Sequence, residues 1–253
     1  MNMIRILSQR WILWVSAVVM ILFAGGWVLL TLTLTTRQGI DARVTTSSIP
    51  AYVKAIDFLQ RHFQYQLLVS RICAGTTSDV ECVLAIFDWT HTNIPHTRKG
   101  WTVVDDHVTN IIIRGHGESD QIADVFVTLA GYAGVPAVFK WITDPRGDVG
   151  LVLGFAHLND KWVPFDVERH IVFRDRNGRL ADVDDLVADP ALVEAQTRGI
   201  LIESTPYASL MSEETLMPFS APRPLRAELQ QPWPRLRHEL RRVAGLERES
   251  LAW

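Results

Sequence analysis

Between Gly115 and Val167 the sequence changes its period in an order that few folds accommodate. Over 119–133 the apolar residues Ala123, Phe126, Leu129, Ala130 and Ala133 make the stripe of a helix that buries one face. Gly134 and Pro136 stop it. Three strand-like runs follow at 137–143, 149–158 and 161–167, separated only by the turn signals Asp-Pro-Arg-Gly-Asp and Asn-Asp. Two helical stretches come before. In 51–72, Val53, Ile56, Leu59, Phe63 and Leu67 recur at spacings of three and four. The next helix opens on a capping box, Ser78 with Glu81, and ends before Pro95. A short β-like run is expected at Asn110 to Ile113 and a small hairpin turning at Asn177-Gly178. Helices first, then strands joined by local hairpins, is an α+β order.

The N-terminus reads differently. From Trp11 to Thr36 there is no charged residue, longer than the ~20 apolar residues that a bilayer span needs. One transmembrane helix over 11–36 is expected, behind a short tail (1–10) and ahead of a linker (37–50). A signal peptide is the competing reading, with a shorter apolar region of ~7–15 residues. Arg5 and Arg10 precede the run and Arg37 and Arg43 follow it, so orientation rests on the short tail, which favours an extracytoplasmic domain. Cys73 and Cys82 lie at the end of one expected helix and the start of the next. A disulfide outside the cytoplasm and two buried thiols both fit. A net charge of -3 on 253 residues gives no electrostatic reason to expect nucleic acid as a partner.

Three stretches in order resemble the transglutaminase-like superfamily, which has the papain-like fold. The helix beginning Ser78-Asp79-Val80-Glu81 resembles the one before the family's nucleophile segment. Gly117-Glu118-Ser119 with Ala123 and Gly134-Val135-Pro136-Ala137 resembles its Gly-x-Cys-x-x-x-Ala helix and Gly-Ile-Pro-Ala ending. Lys161-Trp162 with Phe165-Asp166 resembles its Lys-Trp and Asp-Pro-Thr ending. The resemblance covers roughly 77–167 and implies a Cys, His, Asp triad for acyl transfer or peptide hydrolysis. The implied positions are Ser119, Leu151 and Asp166, so the cysteine and the histidine are replaced and only the aspartate matches.

A serine hydroxyl ionises far less readily than a thiol, so Ser119 needs a general base within ~2.6–3.2 Å to act as a nucleophile. His107, His116 and His157 are the candidates. His157 would face Trp162 across the Asn159-Asp160 turn, which leaves Asp166 roughly 13 Å further along at ~3.3 Å per residue. The plainer reading makes Ser119 a helix N-cap, Asp166 a turn anchor and Leu151 the filler of an imidazole's place. Trp101, Asp105, His107, His116, Glu118 and Ser119 are candidates for a binding groove. His91, His96 and Asp106 add to this polar loop, but no pair has the tight spacing of a common zinc motif, so no metal and no cofactor are expected. The expected domain runs over 51–215, with a Pro-rich arm and a basic amphipathic helix over 216–253. The expectation is a membrane-anchored, non-catalytic relative that binds a peptide, a glycan or a protein partner of the cell envelope. A Ser119-dependent hydrolase or acyltransferase is the alternative.

Overall fold

The computed structural model describes residues 2–245 except 42, 106, 145, 146, 148, 218–220 and 222–224. The N-terminal run requires a correction. A helix, α1 (Asn2–Thr31), takes in the polar tail ahead of Trp11 and ends inside the apolar stretch. The chain then leaves it for an antiparallel hairpin, β1 (Thr33–Ile40) with β2 (Arg43–Pro50). Threonines alternating with Leu34 suit a pleated strand better than a continued helix. Among the described residues no helix is long and apolar enough to cross a membrane, which overturns the expected transmembrane helix over 11–36. The expected linker over 37–50 is part of the same hairpin.

The hairpin leads into α2 (Ala51–Ile72) and α3 (Asp79–Asn93), joined across their turn by a Cys73–Cys82 disulfide. Ser78 caps α3 by accepting from the Glu81 N–H at 3.2 Å, while the Glu81 carboxylate accepts from Thr77. After β3 (Val104–Asp105), which pairs with β1, residues 108–114 form a helix, α4 (Val108–Arg114). A strand was expected there because Ile111, Ile112 and Ile113 are β-branched. Tertiary contact overrides that preference. Val108 and Ile111, three apart, are buried, and the Tyr65 hydroxyl accepts from the N–H of Thr109 at 2.9 Å.

Helix α5 (Ser119–Tyr132) is the centre of the molecule, with ten consecutive buried residues from Gln121 to Ala130. It lies on one face of a four-stranded antiparallel sheet, β4 (Ala137–Thr143), β5 (Gly150–Leu158), β6 (Lys161–Asp166) and β7 (Ile171–Val172), in that spatial order. At Gly154 an added Cβ would meet the Phe126 ring at 2.6 Å, so the glycine admits the close approach of helix and strand. One apolar cluster joins α2, α3 and α5 to Ala156, Leu158 and Phe165. A second forms on Leu151, Leu153 and Phe155, which point the other way along β5. Covering it are α6 (Val183–Ala188), α7 (Ala191–Gln196), the small pair β8 (Leu201–Ile202) and β9 (Thr205–Pro206), α8 (Tyr207–Leu210) and α9 (Glu213–Leu216). The sheet is therefore the middle of three layers. Asn177-Gly178 makes a turn flanked by a bridge between Arg174 and Leu180 rather than by a full hairpin, and the Asp175 N–H donates to the Arg179 carbonyl across it at 2.8 Å. Of the expected Pro-rich extension, 218–220 and 222–224 lie outside the described residues. Its described end, 225–231, crosses α5 before α10 (Pro232–Val243).

Candidate functional site

The N-terminus of α5 is built from both sides. Glu118, not Ser119, is the N-cap, and its N–H donates to Gln121 Oε1 at 3.2 Å. Gln121 in turn donates to the Val104 carbonyl at 2.7 Å and accepts from Arg114 at 3.1 Å, which ties the helix start to β3 and α4. Gly117 pairs with the 95–97 segment: its N–H donates to Pro95, and the Thr97 N–H donates to its carbonyl at 2.9 Å. A Cβ at 117 would sit 3.0 Å from that of Gln121, so the glycine keeps this pairing tight. The pairing carries His96 to the helix end. Its Nε2 faces Glu118 at 3.6 Å and its Nδ1 faces Glu168 at 3.1 Å.

The positions implied by the family resemblance share one end of the fold. Leu151 starts β5 and Asp166 ends β6, so both lie at the same end of that antiparallel pair. The last turn of α5 meets the start of β4, opposite Ala156, so its first turn lies toward this same end, but the side chains of Leu151 and Asp166 face the layer on the other side of the sheet from α5. Leu151 is buried among Ile142, Leu153 and Phe155. Asp166 is wholly buried and anchors a turn by accepting from the Arg169 N–H at 2.9 Å. Its second oxygen accepts from the Tyr207 hydroxyl at 3.0 Å and faces the Arg169 guanidinium at 3.3 Å. Burial pushes the Asp166 carboxyl above its ordinary range, against the opposing pull of Arg169 and Tyr207. Its hydrogen-bond partners are a phenol, an amide and a guanidinium.

Ser119 is half-buried at the first position of the helix, and its side chain makes no hydrogen bond among the described residues. None of the three expected bases reaches it. His107 precedes α4 as its N-cap. His116 shares a 3.1 Å hydrogen bond with Thr97, and burial followed by Arg114 holds its pKa below the usual value. His157 pairs with Trp162 as the turn register requires, with ring centres 5.0 Å apart. Trp101 stands half exposed, edge-on to His116 at 5.0 Å, with the Arg98 guanidinium 5.3 Å above its ring. Asp105 lies in β3 with its side chain outside the described residues, and Asp106 lies outside them altogether. His91 is held by the Val167 carbonyl at 3.0 Å. Among the described residues no group of three or more His, Cys, Asp or Glu could hold a metal ion.

Sequence reasoning placed His96 in the polar loop but missed Glu168, Arg169 and Tyr207 as parts of this end. Glu168 and Arg169 lie two and three residues after Asp166 and could have been found there. Nothing in the local sequence marks Tyr207, which arrives from 41 residues downstream.

Residues 66–167 match the family model described as the transglutaminase-like superfamily. The chain thus carries a transglutaminase-like domain over that segment, built as an α+β fold. Among solved structures it is similar to a candidate cysteine protease from Cytophaga hutchinsonii, at 19% identity and a TM-score of 0.37, over 48% of this chain and 43% of that one. It is also similar to a candidate protease from Parabacteroides distasonis, at 14% identity and a TM-score of 0.34, over 49% of this chain and 28% of that one. The chain thus spans less than half the length of either protein. No curated protein matches it.

Proposed function

We propose that the transglutaminase-like domain is a non-catalytic relative, working in an oxidising compartment outside the cytoplasm. There it holds a peptide, a glycan or a protein partner at the N-terminal end of α5. One observation carries the reading. Asp166, the position that the resemblance implies for the acid, has its carboxylate engaged by Tyr207 and Arg169, while Leu151, the position it implies for the histidine, lies inside an apolar cluster. A triad needs its acid to orient an imidazole. The exposed Trp101, flanked by Arg98 and His116, supplies the amphipathic aromatic surface that recognition sites favour. The Cys73–Cys82 disulfide supports the compartment.

The test pairs activity with binding. The purified chain is assayed for peptide hydrolysis and for amine transfer to glutamine peptides, beside Ser119→Ala, and on peptide and glycan arrays beside Trp101→Ala. The expected outcome is no Ser119-dependent turnover, with retained ligands lost in the Trp101 variant. Turnover abolished by Ser119→Ala would falsify the reading.

A second reading has one observation in its favour. His96 is held by Glu168 at 3.1 Å, as a catalytic imidazole is held by its acid, and it sits beside the residue preceding Ser119. Its other nitrogen faces Glu118, so the imidazole could serve Ser119 only after Glu118 swung away. A hydrolase of this kind would lose activity equally in His96→Ala and Ser119→Ala.

A further inference from the structure

The apolar residues that mark 51–72 as a helix are not those that attach it to the domain. Helix α2 buries Ala51, Tyr65 and Val69, with Leu68 and Ile72 packed beside them. Val53, Ile56, Leu59, Phe63 and Leu67 are 39%, 61%, 44%, 62% and 51% exposed. At ~3.6 residues per turn these two sets fall on opposite sides of the helix. A helix docked on one core needs a single apolar stripe. This one has two, and the domain uses one.

We propose that the second stripe is the seam of a parallel two-stranded coiled coil with α2 of a second copy of this chain. Val53, Gln60 and Leu67 recur every seven residues, and Ile56 and Phe63 repeat the same interval three positions later. That is the a and d pattern that seats side chains between those of a facing helix. The flanking positions are compatible with a two-fold pair. Parallel alignment sets Tyr52 against Asp57, Leu59 against Gln64 and Gln66 against Arg71 of the partner, so no like charges meet. Gln60 decides the direction. An antiparallel pair would press its amide against Phe63 without a hydrogen bond, whereas a parallel pair sets it beside its own copy, where two amides satisfy each other. Size decides the strength. The 22 residues of α2, at ~1.5 Å each and ~10–12 Å across, offer ~350 Å² in projection. That is below the ~800 Å² per partner of a standard stable interface, so the dimer is weak and depends on concentration.

The proposal stands apart from the reading of the α5 end and is tested separately. Cys73 and Cys82 are joined, so one introduced cysteine is the sole free thiol. In the full chain under mild oxidation, Gln60→Cys is expected to give a disulfide-linked dimer, while Ala55→Cys, exposed on α2 outside the seam, is not. In sedimentation velocity the dimer fraction should rise with concentration. Phe63→Glu should abolish it with unchanged circular dichroism, and Gln60→Leu should tighten it at least tenfold. The proposal would be overturned by a monomer at every concentration, by equal crosslinking at 55 and 60, or by dimers indifferent to Phe63→Glu, which would place self-association elsewhere. Phe63-dependent capture by lipid vesicles without dimerisation would also overturn it.

Discussion

Asp166 is legible as a special residue from its setting after Lys-Trp and two turns, yet its role depends on side chains that sequence cannot bring to it. Burial raises its folded-state pKa. The stabilising share of such a group is fully present below its unfolded pKa of ~3.9, where both states are protonated. It is lost as pH rises through the folded value, because the ionised form must then be buried. Asparagine has nearly the same shape and never ionises, although its amide cannot accept at both oxygens' places. Asp166→Asn should therefore gain on the wild type as pH rises from about 4 to 7, read from urea midpoints at the two pH values. A difference that moves the other way would show that Arg169 and Tyr207 outweigh desolvation. The residue itself was found through the family resemblance. The donors that decide its chemistry were not, since Tyr207 belongs to α8 and reaches Asp166 only when the second apolar layer closes.

At the scale of elements, helix ends and hairpins were legible and contacts between elements were not. Ser78, Gly134 and the Asn159-Asp160 turn announce themselves by local chemistry, and the strand register follows from the turn. The 108–114 helix was missed because three isoleucines look like a strand until Tyr65 and the core claim one face. Two predictions belong here. The Cys73–Cys82 link ties α2 to α3 across a nine-residue separation, and chain entropy makes such a closure worth about 2–3 kcal/mol. The Cys73→Ser/Cys82→Ser variant should lose about that much in chemical denaturation, with the fold kept. The second concerns the arm over α5. Gly131 faces Ala227 so closely that an added Cβ would lie 2.4 Å from the alanine's own. Arg226 pairs with Asp124 at 2.9 Å, and Tyr132 donates to the Gln230 carbonyl at 2.8 Å. Gly131→Val should thus lift the arm and cost about 1–3 kcal/mol. Ala227→Gly in the same chain should recover part of that loss, which a defect in α5 alone would not allow.

The whole molecule is larger than its family segment in a way that has a physical consequence. The match ends at Val167, but the sheet has a second apolar face. Leu151, Leu153 and Phe155 point away from α5, and among the described residues the layer packed over them comes from beyond that limit: Phe173, Val183, Leu186, Ile202, Tyr207, Leu210 and Leu216. Removing those residues would expose three large apolar side chains on one strand, and burial of each is worth about 1.5–3 kcal/mol. It would also leave Asp166 without Tyr207 and Arg169. A domain's net stability is only about 5–15 kcal/mol, so that loss is a large part of the whole. A fragment of residues 66–167 is therefore expected to lack cooperative unfolding and dispersed amide resonances, whereas one of residues 43–245 should keep both. Should the short fragment prove as cooperative as the long one, the second layer would be an accessory, and Asp166 would have to find its partners within the family segment.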